Sequence, residues 1–480
     1  MRLVTWRKHH KWIGIGFCFF MLMFCVSGVI LNHRSLVASV NIGREWLPER
    51  YEFRNWNGGL LRGTLKVDDH VIVYGNGGLF SSDSTGQTFE SFNDGLPTGA
   101  DFRQMRSAVR AADDIFAVSG FGLYRRSAQG PWRNVPMPLA EGEKLTDVTM
   151  RGDTLLVLSR DRAYTALPPY DDFSPSEIKA PTDFDGKVTA FRTVWLLHSG
   201  ELFGTAGKLV VDAIALVIVF LCTTGLLFWL LPKAVRRGAK SLRPGIKWSL
   251  TVHDKVGRYT IILTLLLCAT GWCLRPPVML PLVKNRVPAA PGTTLDSDNP
   301  WHDKLRTIRY DDAVGDFLLS TSEGLFSLTN LNGTPVRVDG APPVSVMGMN
   351  VFQKDDGGLW LCGSFSGLFL WDRAAGTATD YFTREPAPEK QGMPFGKRAI
   401  SGFSADFACG PFAVEYYDGT SAIAQPDNLS QLPMSLWNVA LEVHSGRLYM
   451  GTIATFVFVF VAGLLAVWCL WSGYKIRRKS

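Results

Sequence analysis

Four stretches of this chain run without a charged residue for long enough to cross a lipid bilayer, and no other feature limits its fold as much. Trp12–Leu31 has no charge in 20 residues, Ala213–Leu231 none in 19, Tyr259–Leu274 none in 16 and Gly451–Trp471 none in 21. A membrane-spanning helix needs roughly 20 mostly apolar residues. Hydrophobic types make up 46% of the 480 residues, and they are bunched into these blocks. That pattern excludes a soluble globular protein, and 15 Trp with 30 Phe exclude a disordered one. The first block is followed by Asn32-His33-Arg34 and not by a small-residue cleavage site, so it is read as a retained signal anchor.

The net charge of +7 does not point to nucleic acid once it is divided by location. Residues 1–12, 232–258 and the tail after Tyr474 hold 16 of the 50 basic residues against one acid, Asp254, while the rest of the chain is acidic on balance. Short loops rich in Lys and Arg stay on the cytoplasmic side. Both termini and the 232–258 loop are therefore expected inside, and the two long segments between spans outside. Six cysteines fall in the apolar blocks or at their ends, where they serve as small apolar residues. Only Cys362 and Cys409 lie elsewhere, and the sequence leaves open whether they pair.

The two halves repeat one plan: helix, long outer segment, helix. His10-Lys11-Trp12-Ile13-Gly14 and His253-Asp254-Lys255-Val256-Gly257 both read H-x-x-x-G. His10 to Gly28 and His253 to Gly271 are both 18 residues, and each distal glycine follows C-x-[ST]. Before the second helix of each half stand His198-Ser199-Gly200 and His444-Ser445-Gly446. These matched pairs predict an internal duplication, an arrangement in which functional sites often lie between the repeats.

The outer segments read as β-structure, with apolar runs such as Val71–Tyr74 and Leu155–Leu158 between Gly, Asn, Asp and Pro. A G-L-[FY] element recurs at Gly78, Gly122, Gly324 and Gly367, with spacings of 44 and 43 within each segment. A period in the forties fits a four-stranded propeller blade. Ser82–Phe89 resembles an Asp-box turn with its glycine displaced by one. One propeller built from both segments is expected, with two separate sandwich-like domains as the alternative.

Of eight histidines, six stand beside a span: His9, His10 and His253 on the inner side, His33, His198 and His444 on the outer. Neutral imidazoles from facing helices can hold a haem iron axially. The repeat makes His10 equivalent to His253 and His198 to His444, so a two-fold axis along the membrane normal predicts two axial pairs, one per leaflet. Gly14, Gly16, Gly28, Gly225, Gly257, Gly271 and Gly463 are expected to make room for a flat macrocycle. His33 is a spare ligand, and its neighbour Arg34 a candidate for a propionate contact. His9 reads as interfacial, His70 and His302 as surface residues. Asp212 reads equally as a polar relay or an interfacial group. His198 precedes Gly225 by 27 residues, but His444 precedes Gly463 by only 19, so matching depths require extra turns or a break before the second helix.

The runs Arg7–Gly14, Leu197–Gly204 and Thr224–Trp229 resemble the PepSY-associated transmembrane family of bacterial inner-membrane proteins. Members that reduce ferrisiderophores are four-helix, two-haem proteins, and the resemblance implies that His10, His253, His198 and His444 hold two haem b groups. It implies electron transfer from a quinol or a cytoplasmic reductase to a periplasmic ferric siderophore or other ferric chelate. The haems are expected to be non-covalent, since there is no C-x-x-C-H. No PepSY domain stands in the outer segments. No Ser-His-Asp, paired-carboxylate or H-E-x-x-H arrangement suggests a catalytic residue. A non-redox membrane-anchored sensor or scaffold, or a haem or metal transporter, are the competing functions.

The expected architecture is a four-helix transmembrane bundle in the bacterial inner membrane, embedded in lipid, with a periplasmic all-β domain inserted in two pieces. Residues 1–32 form the first helix with a cytoplasmic N-terminus, 33–196 the first β-segment, and 197–232 the second helix with its periplasmic approach. Residues 233–252 are a cytoplasmic loop, 253–275 the third helix, 276–442 the second β-segment, 443–473 the fourth helix with its approach, and 474–480 a cytoplasmic tail.

Overall fold

A computed structural model describes residues 3–127, 130–388 and 398–476. Arg2, Arg477, Arg478 and Lys479, counted above among the cytoplasmic charges, lie outside the described residues. The chain forms two compact units. One comprises Met1–Val37, Asp185–Ser297 and Leu436–Ser480, the other Ala38–Phe184 and Asp298–Ser435.

The first unit is helical. Its long helices are α1 (Leu3–Asn32), α3 (Gly204–Arg236), α4 (Arg243–Cys273) and α6 (Thr452–Lys475); two short ones, α2 (Ala190–Ser199) and α5 (Leu436–His444), precede α3 and α6. All four apolar blocks fall in helices long and apolar enough to cross a membrane. At about 1.5 Å per residue they measure roughly 36–50 Å, more than the ~30 Å of hydrocarbon. Helix α1 packs on α3 and α6, and α4 packs on the same two. Helices α1 and α4 are therefore diagonal partners in the bundle.

Chemistry at the ends explains where the helices stop. Thr189 caps α2 by accepting from the Arg192 N–H, and Gly200, at φ 81°, ends it in the left-handed conformation that glycine adopts freely. Gly446, at φ 78°, plays the same part after α5. Both breaks lie between the histidine and the long helix, so His198 and His444 ride on short helices of their own. The stretch 233–252 is mostly helix, because α3 continues through Pro232 to Arg236 and α4 opens at Arg243 with Pro244 in its first turn. Only a turn around Gly238, at φ 110°, separates them. Residues 33–37, 185–196, 276–297 and 436–442, expected in the β-segments, belong to the helical unit. There Lys187–Thr189 pairs with Arg286–Pro288.

The second unit consists of small antiparallel sheets. Five have four strands in sequence order, spanning 63–91, 105–135, 145–176, 305–337 and 351–380. A sixth pairs Ile400–Ser404 with Phe412–Glu415. Each G-L-[FY] element opens the third strand of its sheet. The recurrence in the forties is thus the step from one sheet to the next. Alternate residues of a strand enter different cores: Leu155 and Val157 pack with Phe116 and Val118 of the preceding sheet, Leu156 and Leu158 with Ile308 and Phe317 of the following one. A strand buried on both faces reads as an unbroken apolar run, which is what Leu155–Leu158 is.

Hydrogen bonds tie the first strands of neighbouring sheets. Ser107 Oγ accepts from Val148 N, Asp147 Oδ2 from Ile308 N, and Phe352 O from Arg309 Nε. Asn350 Nδ2 donates to Ile400 O, and Thr64 Oγ1 bonds Ser404 Oγ. The Asp-box resemblance has a physical basis, because Asp83 accepts from the Thr85 and Thr88 N–H groups and closes the turn. Cys362 is buried and Cys409 exposed, and both are free thiols.

Candidate functional site

The bundle brings the histidines of the two H-x-x-x-G runs together, and likewise those of the two H-S-G runs. His10 on α1 and His253 on α4 have ring centroids 6.0 Å apart. His198 on α2 and His444 on α5 are also 6.0 Å apart. Between His10 and Gly28 on α1, and between His253 and Gly271 on α4, 18 residues of helix separate the levels of the two pairs by about 27 Å.

Each ring rests in the same seat, made by a different long helix. His444 Nδ1 bonds Phe24 O at 2.9 Å and Ser27 Oγ at 3.1 Å, beside Gly28. His198 Nδ1 bonds Leu267 O and Thr270 Oγ1, both at 3.2 Å, beside Gly271. His10 Nδ1 bonds Cys469 O at 2.9 Å and lies 3.5 Å from Ser472 Oγ, beside Gly473. His253 Nδ1 bonds Thr224 Oγ1 at 3.0 Å, with the Leu221 backbone near the ring, beside Gly225. Every seat is a carbonyl, then a hydroxyl three residues on, then a glycine.

The seats determine which ring nitrogen carries the proton. A carbonyl oxygen only accepts. Each hydroxyl already donates to its own helix: Ser27 to Met23 O, Thr270 to Leu266 O, Thr224 to Phe220 O and Ser472 to Cys469 O. Nδ1 must therefore donate in all four rings, and Nε2 keeps its lone pair. This is the arrangement by which proteins orient metal-binding histidines. Burial pushes the His198 imidazole down to about 4 and that of His444 to about 3, so both stay neutral at physiological pH.

Three of the glycines meet an imidazole: Gly28, Gly225 and Gly271 each clear space for a ring edge. Gly463 faces Trp272, Gly14 faces Cys469 and Gly257 faces Leu221, while Gly16 faces open space. The counterpart of Gly225 is Gly473, not Gly463. His198 precedes Gly225 by 27 residues and His444 precedes Gly473 by 29, so the apparent mismatch in depth disappears. Ser472-Gly473 was the residue pair missed from sequence, although [ST]-G also occurs at Ser27, Thr224 and Thr270.

The remaining polar groups have other partners. His33 sits at neither pair, because its Nε2 bonds Asp212 Oδ2 at 2.6 Å, while Asn32 Nδ2 donates to Asp212 Oδ1 at 3.0 Å. Asp212 is thus a buried acceptor joining α3 to the end of α1. The Arg34 guanidinium lies 4.0 Å over the Trp437 ring, and His9 stacks near Trp468. His70 and His302 are exposed, with His302 on Asp161 at 2.6 Å. Among the described residues, no three or more His, Cys, Asp or Glu side chains gather as a metal site. Two imidazoles alone suit a metal that brings its other donors with it, whereas bare Zn²⁺ takes three or four protein ligands.

No curated protein sequence matches this one. Among solved structures, the chain is similar to the extracellular domain of a hybrid two-component system from B. thetaiotaomicron, with TM-score 0.37 and 8% identity over 75% of this chain and 32% of that one. It is also similar to the extracellular domain of a one-component system from the same organism, with TM-score 0.36 and 10% identity over 76% of this chain and 32% of that one. The chain spans about a third of the length of those structures. Residues 3–231 match the model of the PepSY-associated TM region. Two of the four membrane-length helices, with His10 of the first H-x-x-x-G run and His198 of the first H-S-G run, lie in that stretch, and this part of the chain is similar to the PepSY-associated TM family.

Proposed function

We propose that this protein is a di-haem electron-transfer protein of the bacterial inner membrane that reduces a ferric siderophore or another ferric chelate during iron uptake. The observation that carries the reading is the seat repeated four times, which leaves Nε2 free on two histidine pairs with 6.0 Å between ring centroids. Two metal–nitrogen bonds of about 2 Å, with about 1 Å more from nitrogen to the centre of each ring, give about 6 Å. His10 with His253 would hold one haem b, and His198 with His444 the other. Bound there, haem supplies one-electron chemistry. The chain's own contribution is orientation: the carbonyl and hydroxyl of each seat hold the imidazole plane and keep its proton off Nε2. Burial of the rings keeps water and protons away from the ligating nitrogens.

The electron donor in this reading is a quinol or a cytoplasmic reductase. The charge distribution supports cytoplasmic termini, a cytoplasmic turn around Gly238 and periplasmic β-segments. The identical seats on α1 and α4, and on α3 and α6, support an internal duplication. The contacts and hydrogen bonds linking the first strands of successive sheets, including Gly63–Val67 with Ile400–Ser404, support a six-bladed propeller. We infer that this propeller selects the chelate.

The deciding experiment is a reduced-minus-oxidised optical spectrum of the purified protein with a pyridine haemochrome count. Two b-type haems per chain are expected. His10→Ala or His253→Ala should remove one and leave the other, and His198→Ala or His444→Ala should do the converse. A haem-free protein, or four single variants that each retain two haems, would overturn the reading.

A further inference from the structure

The end of α4 beside His198 carries two hydrogen-bond donors that nothing in the described protein accepts from. Arg275 is half-buried, and its guanidinium makes no hydrogen bond or ion pair among the described residues. The Trp272 indole Nε1 is buried and has no acceptor. Leu274 N bonds Gly271 O and Arg275 N bonds Trp272 O, so the chain leaves α4 in a tight i→i+3 turn. Residues three apart in such a turn lie on one side of it, so Arg275 follows Trp272 by one turn on the same side of the helix end. Gly271, the seat of His198, is the residue before Trp272.

The surrounding charges leave this pair of donors unmatched. Arg275 acts electrostatically on both His198 and His444. The carboxylate that acts on Arg275, Glu442 on α5, is engaged through both oxygens by Arg447. Burial pushes the Arg275 guanidinium down to about 10, and the like charge of Arg447 works in the same direction, but it remains a cation at neutral pH. A half-buried cation whose neighbouring carboxylate is hydrogen-bonded to another arginine is incompletely compensated, and a buried N–H without an acceptor is unfavourable. A planar carboxylate satisfies both, since guanidinium geometry matches it and the indole N–H is a single donor.

We propose that Arg275 and Trp272 bind a carboxylate at the His198/His444 site. The proposal deepens the electron-transfer reading and, in one of its two forms, rests on it. The carboxylate is either a propionate of a haem held by that pair or a carboxylate of the ferric chelate that docks there. Arg34, the residue expected from sequence to meet a propionate, is instead stacked on Trp437.

Full-length protein in detergent is compared with Arg275→Gln, Arg275→Lys and Trp272→Phe. In the first arm, the protein is produced with haem labelled with ¹³C at its carboxyl groups, and reduced-minus-oxidised infrared spectra are recorded. If the source is propionate, the labelled bands shift in Arg275→Gln and Trp272→Phe and shift less in Arg275→Lys. In the second arm, binding of ferric citrate and of an uncharged ferric trihydroxamate is measured. If the source is the chelate, citrate affinity falls about ten-fold in Arg275→Gln, the loss expected for one charge-assisted hydrogen bond, while trihydroxamate affinity is unchanged. The haem signal of the His10/His253 pair reports that each variant is folded. Neither arm moving in a folded variant overturns the proposal. Wild-type protein without haem refutes the electron-transfer reading alone, because the citrate arm needs no haem and a thermal melt then serves as the folding control.

Discussion

A single methyl group added at each ring seat should perturb the four histidines in a graded order. A Cβ at Gly271 would stand 2.7 Å from His198 Cε1, one at Gly473 2.9 Å from His10 Cε1, one at Gly28 3.2 Å from His444 Cε1, and one at Gly225 3.5 Å from His253 Cε1. Ordinary contact begins at 3.4 Å. The rings must therefore retreat by about 0.7, 0.5 and 0.2 Å in the first three cases, and not at all in the fourth. Overpacking of this kind costs about 1–3 kcal/mol. Replacing a helical glycine by alanine returns up to about 1 kcal/mol of helix propensity, and less at Gly271 and Gly473 in the last turns of α4 and α6. Gly271→Ala should thus be destabilised by about 2 kcal/mol net, and Gly225→Ala should be neutral or stabilised. The displaced ring also carries its Nε2 out of line, so the order of ligation defects should be Gly271→Ala, Gly473→Ala, Gly28→Ala and last Gly225→Ala. Thermal unfolding in detergent measures the stability order, and site-resolved reduced-minus-oxidised spectra measure ligation. A silent Gly271→Ala, or a Gly225→Ala as damaged as Gly271→Ala, would refute the seat geometry.

Other consequences can be checked separately. Asp212→Asn should weaken the hydrogen bond to His33 and lower thermal stability by about 1–3 kcal/mol without changing the haem count; a lost haem would return His33 or Asp212 to the ligand set. In the β-unit, buried Asp311 accepts from Lys354 at 2.7 Å and Arg373 at 2.8 Å, so Asp311→Ala should destabilise that unit by about 3–5 kcal/mol and leave haem spectra unchanged. Burial works to raise the Asp311 pKa, but the hydrogen bonds from Lys354 and Arg373 outweigh it and hold it below the usual carboxylate value. The contribution of Asp311 is therefore complete above the unfolded value of about 4 and should fade as pH drops through the lower folded value, which a pH series of melts on wild type and Asp311→Asn would show. Reporter fusions after Gly238 should be active only for a cytoplasmic reporter, and a periplasmic signal there would reverse the proposed orientation.

The sequence alone determined the spanning helices, because an uncharged run of about 20 residues has few other stable states. It pointed to the histidine pairing as well, because the matching H-x-x-x-G and H-S-G runs single out His10 with His253 and His198 with His444, and the rings of each pair lie 6.0 Å apart. The step from sheet to sheet was legible in the spacing of the G-L-[FY] elements, since each opens a third strand. What the sequence could not supply was which helix receives which ring. Gly28 and His444 are 416 residues apart, and His10 and Gly473 463 apart, so no local pattern links them. The glycines were visible, but which imidazole each one meets is decided only by its neighbour in space. The same holds for His33, which looked like a spare ligand until α3 placed Asp212 against it at 2.6 Å. Local spacing records periodicity and breaks within one helix; the proton on each Nδ1, and with it the lone pair on each Nε2, depends on a carbonyl of a different helix that only tertiary packing brings near.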